Sequence, residues 1–356
     1  MLIRCLVWLL VAIGCVDAEA AERVVGYVAS WNVPPDIHAE KLTHLNVAFA
    51  HIDKDHRVIT DAGAGAAIKT LALLKKRNPQ LKILLSVGGW QADGFSGAAL
   101  TEASRQAFAA SAVRLLTEFH LDGLDIDWEY PGNGIAGIEH RPQDGANFTL
   151  LLRTLRETLG TPYLLTIAAA DHEFVESIDL AAVSACLDWF NLMSYDFFNS
   201  LTPTTGHHAG LYRAEHALPR DRNTDSAVSQ YLAAGVPPDK IVLGVAFYGR
   251  AFAGVTARNN GLNQPYEHFE GAHDYRELVD SFIGKRGFVR YWDNRAQAPY
   301  LWNATTRVFI SYDDPQSVAI KAHYALLHRL GGIMFWELSE DRDDELLDVI
   351  DHGLRH

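Results

Sequence analysis

Cysteine is scarce in this chain. Its 356 residues hold three, Cys5, Cys15 and Cys186. Two lie in the first twenty residues, so a chain trimmed there keeps Cys186 alone. One cysteine makes no internal disulfide and no thiolate metal site, and Cys186 reads as a buried small residue. Positive charge is scarce as well: Lys and Arg number 31 against 44 Asp and Glu, a formal net charge of −13. That balance argues against a nucleic-acid partner or an anionic membrane surface, and leaves a neutral polymer as a comfortable ligand. Low-complexity tracts, short-period repeats and Pro-rich linkers are missing too, so residues 21–356 read as one folded unit. The apolar run CLVWLLVAIGCV (5–16) is too short for a comfortable membrane span. It follows the basic MLIR and precedes the small residues of VDA and AEA, the three parts of a secretory signal peptide over residues 1–20. The expected location is extracellular or periplasmic. An uncleaved anchor is one alternative. Lipidation at Cys15 is another, since AIGC loosely resembles a lipobox, and it would add membrane anchorage.

What is abundant is apolar and aromatic: 48% hydrophobic residues, with 8 Trp, 13 Tyr and 16 Phe. These fall into runs with strand character at 24–31, 42–52, 81–90, 122–130, 163–170, 187–196, 240–249 and 331–338. Helical patterns lie between them at 66–77, 104–120, 147–159, 226–235 and 314–330. Strand–helix alternation repeated eight times predicts a (β/α)8 TIM barrel, and near-continuous apolar strands suit a sheet buried on both faces. The last two strands lie some eighty residues apart, roughly twice what a βαβ unit requires. Residues 251–306 therefore read as a small α+β insertion between strand 7 and helix 7. It carries the aromatic run FVRYWD (288–293) and a helix at 273–282.

The segment DGLDIDWEYPG (122–132) breaks the apolar rule, with Asp122, Asp125, Asp127 and Glu129 alternating with Leu124, Ile126 and Trp128. A solvated edge strand would explain the alternation, but a closed barrel has no edge. Leu124, Ile126 and Trp128 are then expected to face the helices, and Asp125, Asp127 and Glu129 the barrel axis. Glu129 falls at the C-terminal strand end, where barrel enzymes keep their chemistry. Asp122 has the other parity and reads as structural. Successive inward acids would stand roughly 6.6 Å apart and, at an effective dielectric near 20, repel by about 2.5 kcal/mol. They cannot all ionise, so one carboxyl stays protonated near neutral pH and can serve as a general acid. Metal binding is the rival use of clustered carboxylates. No His or Asn ligand pattern accompanies these, so no metal and no cofactor is expected.

DGLDIDWE fits the DGxDxDxE signature of glycoside hydrolase family 18, the chitinase family, which this chain resembles over about residues 23–353. SVGG (Ser86, Gly88, Gly89) resembles the family's SxGG, and MSYD (Met193, Tyr195, Asp196) its MxYD. YGR (Tyr248 to Arg250), MFWE (Met334 to Glu337), Tyr27 in GYVASW and FISYDDP (309–315) fall in the expected order. The resemblance implies substrate-assisted, retaining hydrolysis of chitin or chito-oligosaccharides. Glu129 would be the acid and then the base. Asp127 would bond the substrate's acetamide N–H, Asp125 would exchange a proton with Asp127, and Tyr195 would bond the acetamide oxygen. Trp336 would floor the distorted sugar. Tyr27, Phe49, Trp90, Met193, Asp196, Tyr248 and Arg250 are the further candidate substrate contacts. Ser86 is expected to support Asp125, while Gly88 and Gly89 leave room. Trp31, Trp90 and Trp292 read equally as sugar platforms or surface packing, and His207 and His208 as loop-structuring. Tyr275 and Glu277 are candidate contacts on a cleft wall raised by the insertion. One departure stands out: Leu201 occupies a loop position where the family often has Trp. A monomer is expected. Two alternatives stay open: a hydrolase of another N-acetylglucosaminide, such as peptidoglycan or an N-glycan core, and a non-catalytic chitinase-like lectin.

Overall fold

The computed structural model describes residues 23–218 and 221–355, so the expected signal segment lies outside the described residues. Eight parallel strands form a closed barrel. They are β1 (Arg23–Ala29), β2 (His44–Ile52), β3 (Lys82–Gly88), β4 (Gly123–Asp127), β5 (Leu164–Ala169), β6 (Trp189–Leu192), β7 (Ile241–Ala246) and β8 (Gly332–Trp336). Each neighbours the next, and β1 pairs both β2 and β8, which closes the ring. This is the (β/α)8 architecture expected from the alternation.

Strand parity sorts the side chains. Leu124, Ile126 and Trp128 join the large outer core with the helices, where Trp128 stacks on Phe95 at 5.3 Å and meets Phe148 edge-on at 5.4 Å. Val25, Tyr27, Trp189, Val242 and Met334 form a separate inner cluster within the barrel. The helices start where side chains can satisfy free backbone N–H groups. Thr101 caps Glu102–Phe119, Asn223 caps Thr224–Ala233, and Asp314, followed by Pro315, caps Pro315–Leu327. The segment read as one helix over 66–77 is an α-helix, Ala62–Ala72, followed by a 3-10 turn, Leu73–Lys76. A terminal helix, Glu345–Arg355, was not foreseen. It buries Leu346, Leu347, Ile350 and Leu354 against its neighbour, so closely that a Cβ at Gly353 would stand 2.9 Å from Ala322 Cβ.

The insertion is a five-stranded antiparallel sheet with a short helical segment. Its strands are Tyr248–Ala253, His268–Asp274, Val289–Asp293, Ala298–Asn303 and Val308–Ser311, so the sheet reaches past 251–306 at both ends. Only Phe247 separates β7 from the first of these strands, which is why no turn residue marks the boundary. The helix expected at 273–282 begins at Tyr275 instead, because His273 and Asp274 pair with Gly249 and Tyr248 and extend the strand. It continues to Phe282 as a π turn. Just beyond the sheet, Asp313 and Lys321 form an ion pair at 2.5 Å with both side chains fully buried.

Candidate active site

Asp125 sits inside the barrel with no exposure, held by four donors. Its Oδ2 accepts from the Tyr27 hydroxyl at 2.8 Å and from Ser86 Oγ at 2.7 Å. Its Oδ1 accepts from Thr166 Oγ1 at 2.6 Å and from Asn191 Nδ2 at 3.0 Å. Burial raises its pKa, and these four bonds pull it part of the way back. Asp127, next on the same face, is 4% exposed, and its Oδ1 has no hydrogen-bond partner among the described residues. Burial, then the charges of Glu129 and Asp125, push its carboxyl far above the usual range. An acid in that state donates a hydrogen bond or awaits one, as a site that receives a polar group requires.

Glu129 follows at the strand end, half-buried. Burial lifts its carboxyl to about 7, a bond from Tyr130 opposes the shift, and Asp196 and Arg250 act in opposite senses. A carboxylic acid poised near neutrality can donate a proton and then take one back. Asp196 stands nearby but is engaged. Burial alone would raise its pKa, yet contacts from His208 and Arg250 overcome it and hold the group well below the usual range. Arg250 grips it with two bonds, Nε to Oδ1 at 2.7 Å and Nη2 to Oδ2 at 2.5 Å. The Arg250 guanidinium lies 4.8 Å from the Tyr248 ring centre.

Around the acids the inner cluster supplies a lining. Tyr195 is buried, its hydroxyl reaching, among the described residues, only the Met334 sulfur at 3.7 Å, which leaves it free to donate to a better acceptor. Met193, half-buried, packs in the same cluster. Trp336 stacks on Phe49 at 5.5 Å and 15°, and lies 5.7 Å from Tyr27. Gly88 and Gly89 make these approaches possible. A Cβ on Gly88 would fall 2.0 Å from the Asp127 carbonyl oxygen, and one on Gly89 2.5 Å from the Phe49 ring. Both have positive φ, 120° and 94°, which side chains resist.

The sequence model of glycosyl hydrolases family 18 matches residues 23–341. The chain belongs to that family. It is 37% identical to Chitinase A1 of Niallia circulans, over 92% of this chain and 58% of that protein. It is 33% identical to chitinase B of Serratia marcescens, over 94% of this chain and 80% of that protein. A solved family 18 N-acetylglucosaminidase from Paenibacillus barengoltzii superposes with a TM-score of 0.89 at 46% identity, covering 94% of this chain and all of that one. The reading of this chain as a glycoside hydrolase stands with the family.

Within this family 18 site, Tyr27, Phe49, Met193, Tyr195, Tyr248 and Trp336 lie together in one inner cluster. Trp90 stands apart at the rim, 52% exposed and 6.5 Å from Tyr130. Trp31 is more open still at 68% and reaches Phe49 at 6.3 Å. Trp292 lies under the Arg290 guanidinium, half-buried in the insertion. Tyr275 is not a cleft contact: it is 2% exposed, and its N–H is anchored to the Phe247 carbonyl at 2.7 Å, where the chain turns back onto the barrel. Glu277 is exposed and accepts from His273 at 2.8 Å. His207 holds Asp293 at 3.1 Å, and His208 lies 3.6 Å from Asp196. Asp122 accepts from the Ile83 N–H at 2.7 Å and from Lys75, at the entry to its strand.

Thr166 and Asn191 were missed. For Asn191 the signal was present in the sequence, since it shares parity with Met193 and Tyr195, whereas Thr166 meets Asp125 through a strand register that only the fold shows. The cis peptide bonds Ala48–Phe49, Glu129–Tyr130 and Trp336–Glu337 have no sequence signal, because the second residue of each is not proline. Among the described residues no group of three or more His, Cys, Asp or Glu could hold a metal ion. No helix among them is long and apolar enough to cross a membrane.

Proposed function

We propose that this protein is a secreted chitinase that cleaves β-1,4 bonds between N-acetylglucosamine units with retention, the substrate's own acetamide acting as nucleophile. The observation that carries this reading is the inward column Asp125, Asp127 and Glu129, topped by an acid near neutrality, beside an Asp196 that Arg250 keeps occupied. In the first step Glu129 gives its proton to the glycosidic oxygen as that bond breaks. The acetamide carbonyl oxygen bonds to the anomeric carbon, forming an oxazolinium. Asp127 passes its proton to Asp125, and the resulting carboxylate accepts the acetamide N–H and stabilises the positive charge, while Tyr195 donates to the acetamide oxygen. In the second step the Glu129 carboxylate takes a proton from water as its oxygen attacks the anomeric carbon and reopens the ring.

If the substrate supplies the nucleophile, the sugar on the non-reducing side of the cut must carry an acetyl group. Digestion of partly acetylated chitosan should therefore yield new reducing ends that are N-acetylglucosamine. Frequent glucosamine at those ends would defeat the mechanism. A second reading, release of single N-acetylglucosamine units, is favoured by Leu201, which stands 61% exposed in the loop after MSYD in place of an aromatic platform. The solved N-acetylglucosaminidase relative points the same way. Chromatography of early products separates the two: disaccharides for the first, monosaccharides for the second. Secretion rests on the N-terminal run, and N-terminal sequencing of the mature chain decides between cleavage, lipidation at Cys15 and retention.

A further inference from the structure

Glu337 follows the floor tryptophan directly, is 4% exposed, and has no part in the steps above. Its carboxylate joins the ends of two strands. Oε2 accepts from the N–H of Ala29, the last residue of β1, at 3.2 Å, and from the N–H of Ser339 at 3.2 Å. Oε1 takes the Ser339 hydroxyl. Ser339 Oγ in turn accepts from Asn32 Nδ2 at 2.8 Å. Asn32 is the neighbour of Trp31, and its own N–H closes a turn onto the Ala29 carbonyl at 3.0 Å. One buried carboxylate thus fixes the turn that carries Trp31 against the strand end that carries Trp336. Phe49 lies between the two indoles, 6.3 Å from one and 5.5 Å from the other. The three rings make a strip that starts beside Tyr27, the partner of Asp125, and ends at the exposed Trp31. On the far side, the Phe247 N–H donates to the Trp336 carbonyl at 2.8 Å, so the indole's backbone is pinned from both neighbouring strands.

We propose that Glu337 is a positioning residue for substrate: through Ala29, Ser339 and Asn32 it sets the spacing of Trp31 and Trp336, and with it the grip on sugars along that strip. The proposal rests on the chitin-oligomer reading above. An apolar face can be matched by successive sugar faces only if the rings keep their separation, and two flexible loop ends would not keep it unaided.

The test compares wild type with Glu337→Ala, Glu337→Gln and Asn32→Ala on N-acetylglucosamine oligomers of several lengths. Glu337→Ala should raise KM for the longer oligomers about 10-fold or more, as expected for losing three buried hydrogen bonds at once, with a much smaller change in kcat. Asn32→Ala should move KM the same way by less. Glu337→Gln keeps one oxygen for the two N–H donors and offers an N–H to Ser339 Oγ, so it should restore KM to near the wild-type value. Loss of active protein with KM unchanged in Glu337→Ala, or a Gln variant as impaired as the Ala variant, overturns the proposal by showing a merely structural or a charge role. If Glu337→Ala does not fold, Asn32→Ala and Glu337→Gln carry the same test. If wild type turns over no oligomer, the functional reading fails separately. The Glu337 arm is then read from tryptophan-fluorescence titration with the same oligomers, where an unchanged affinity in Glu337→Ala and Asn32→Ala overturns it.

Discussion

Glu129 and Asp196 are both carboxylates in one cleft, and their surroundings drive them apart. Burial lifts Glu129 to about 7, while contacts from His208 and Arg250 keep Asp196 ionised. A general acid must hold its proton, so kcat/KM should fall as pH rises through about 7, the free-enzyme value for Glu129. Glu129→Gln should lower kcat by at least about 100-fold, the low end of general-acid contributions, while leaving oligomer binding nearly intact. Steady-state rates across pH, paired with binding of the inactive variant, check both. An alkaline limb well above neutrality, or a Gln variant with more than about a hundredth of wild-type rate, would remove Glu129 from its role.

At the scale of elements, the barrel and the column of acids were legible because both depend on strand period alone. Once the chain is a closed barrel, parity sends Asp125 and Asp127 inward and Leu124, Ile126 and Trp128 outward, with no other information needed. What was not legible depends on contacts distant in sequence. Tyr275 looks like a surface aromatic until the return of the chain past Phe247 buries it. The insertion's first strand is invisible because β7 runs into it without a turn. The short loop after β3 shows how tightly such neighbours are set. Gly89 has φ 94°, and an added Cβ would meet the Phe49 ring at 2.5 Å. Gly89→Ala should therefore displace Phe49 from Trp336 and weaken oligomer binding, with a backbone cost of about 1 kcal/mol or more from the positive φ. The changed Trp336 environment should shift the tryptophan emission spectrum. Unchanged emission together with unchanged KM would mean that the Phe49–Trp336 stack is not fixed by this glycine.

On the scale of the whole molecule, the insertion must keep its place on the barrel, because Arg250, on its first strand, reaches back to Asp196. Several ion pairs join the bodies, Arg290–Asp314 and Arg342–Asp280 among them. Asp196–Arg250 lies at the cleft, and Asp313–Lys321 lies where the chain leaves the sheet and enters the next helix. The Asp313–Lys321 pair is fully buried, and Ser317 Oγ donates to the remaining Asp313 oxygen at 2.7 Å. Burial lowers the Lys321 pKa, and Asp313 opposes the shift, so the ammonium depends on its partner to stay charged. Removing one member strands the other charge in the interior, which typically costs about 3–5 kcal/mol. Lys321→Met should thus lower the denaturation midpoint strongly. Lys321→Met combined with Asp313→Leu should regain much of that loss, since replacing both charges by apolar groups leaves no orphan. The Glu129 limb in the pH profile should stay where it is in the folded fraction of either variant, because neither residue touches the cleft acids. A single variant as stable as wild type would mean that water reaches this corner and that the pair does not hold the insertion. A double variant no better than the single one would assign the stability to side-chain packing around Lys321 rather than to charge.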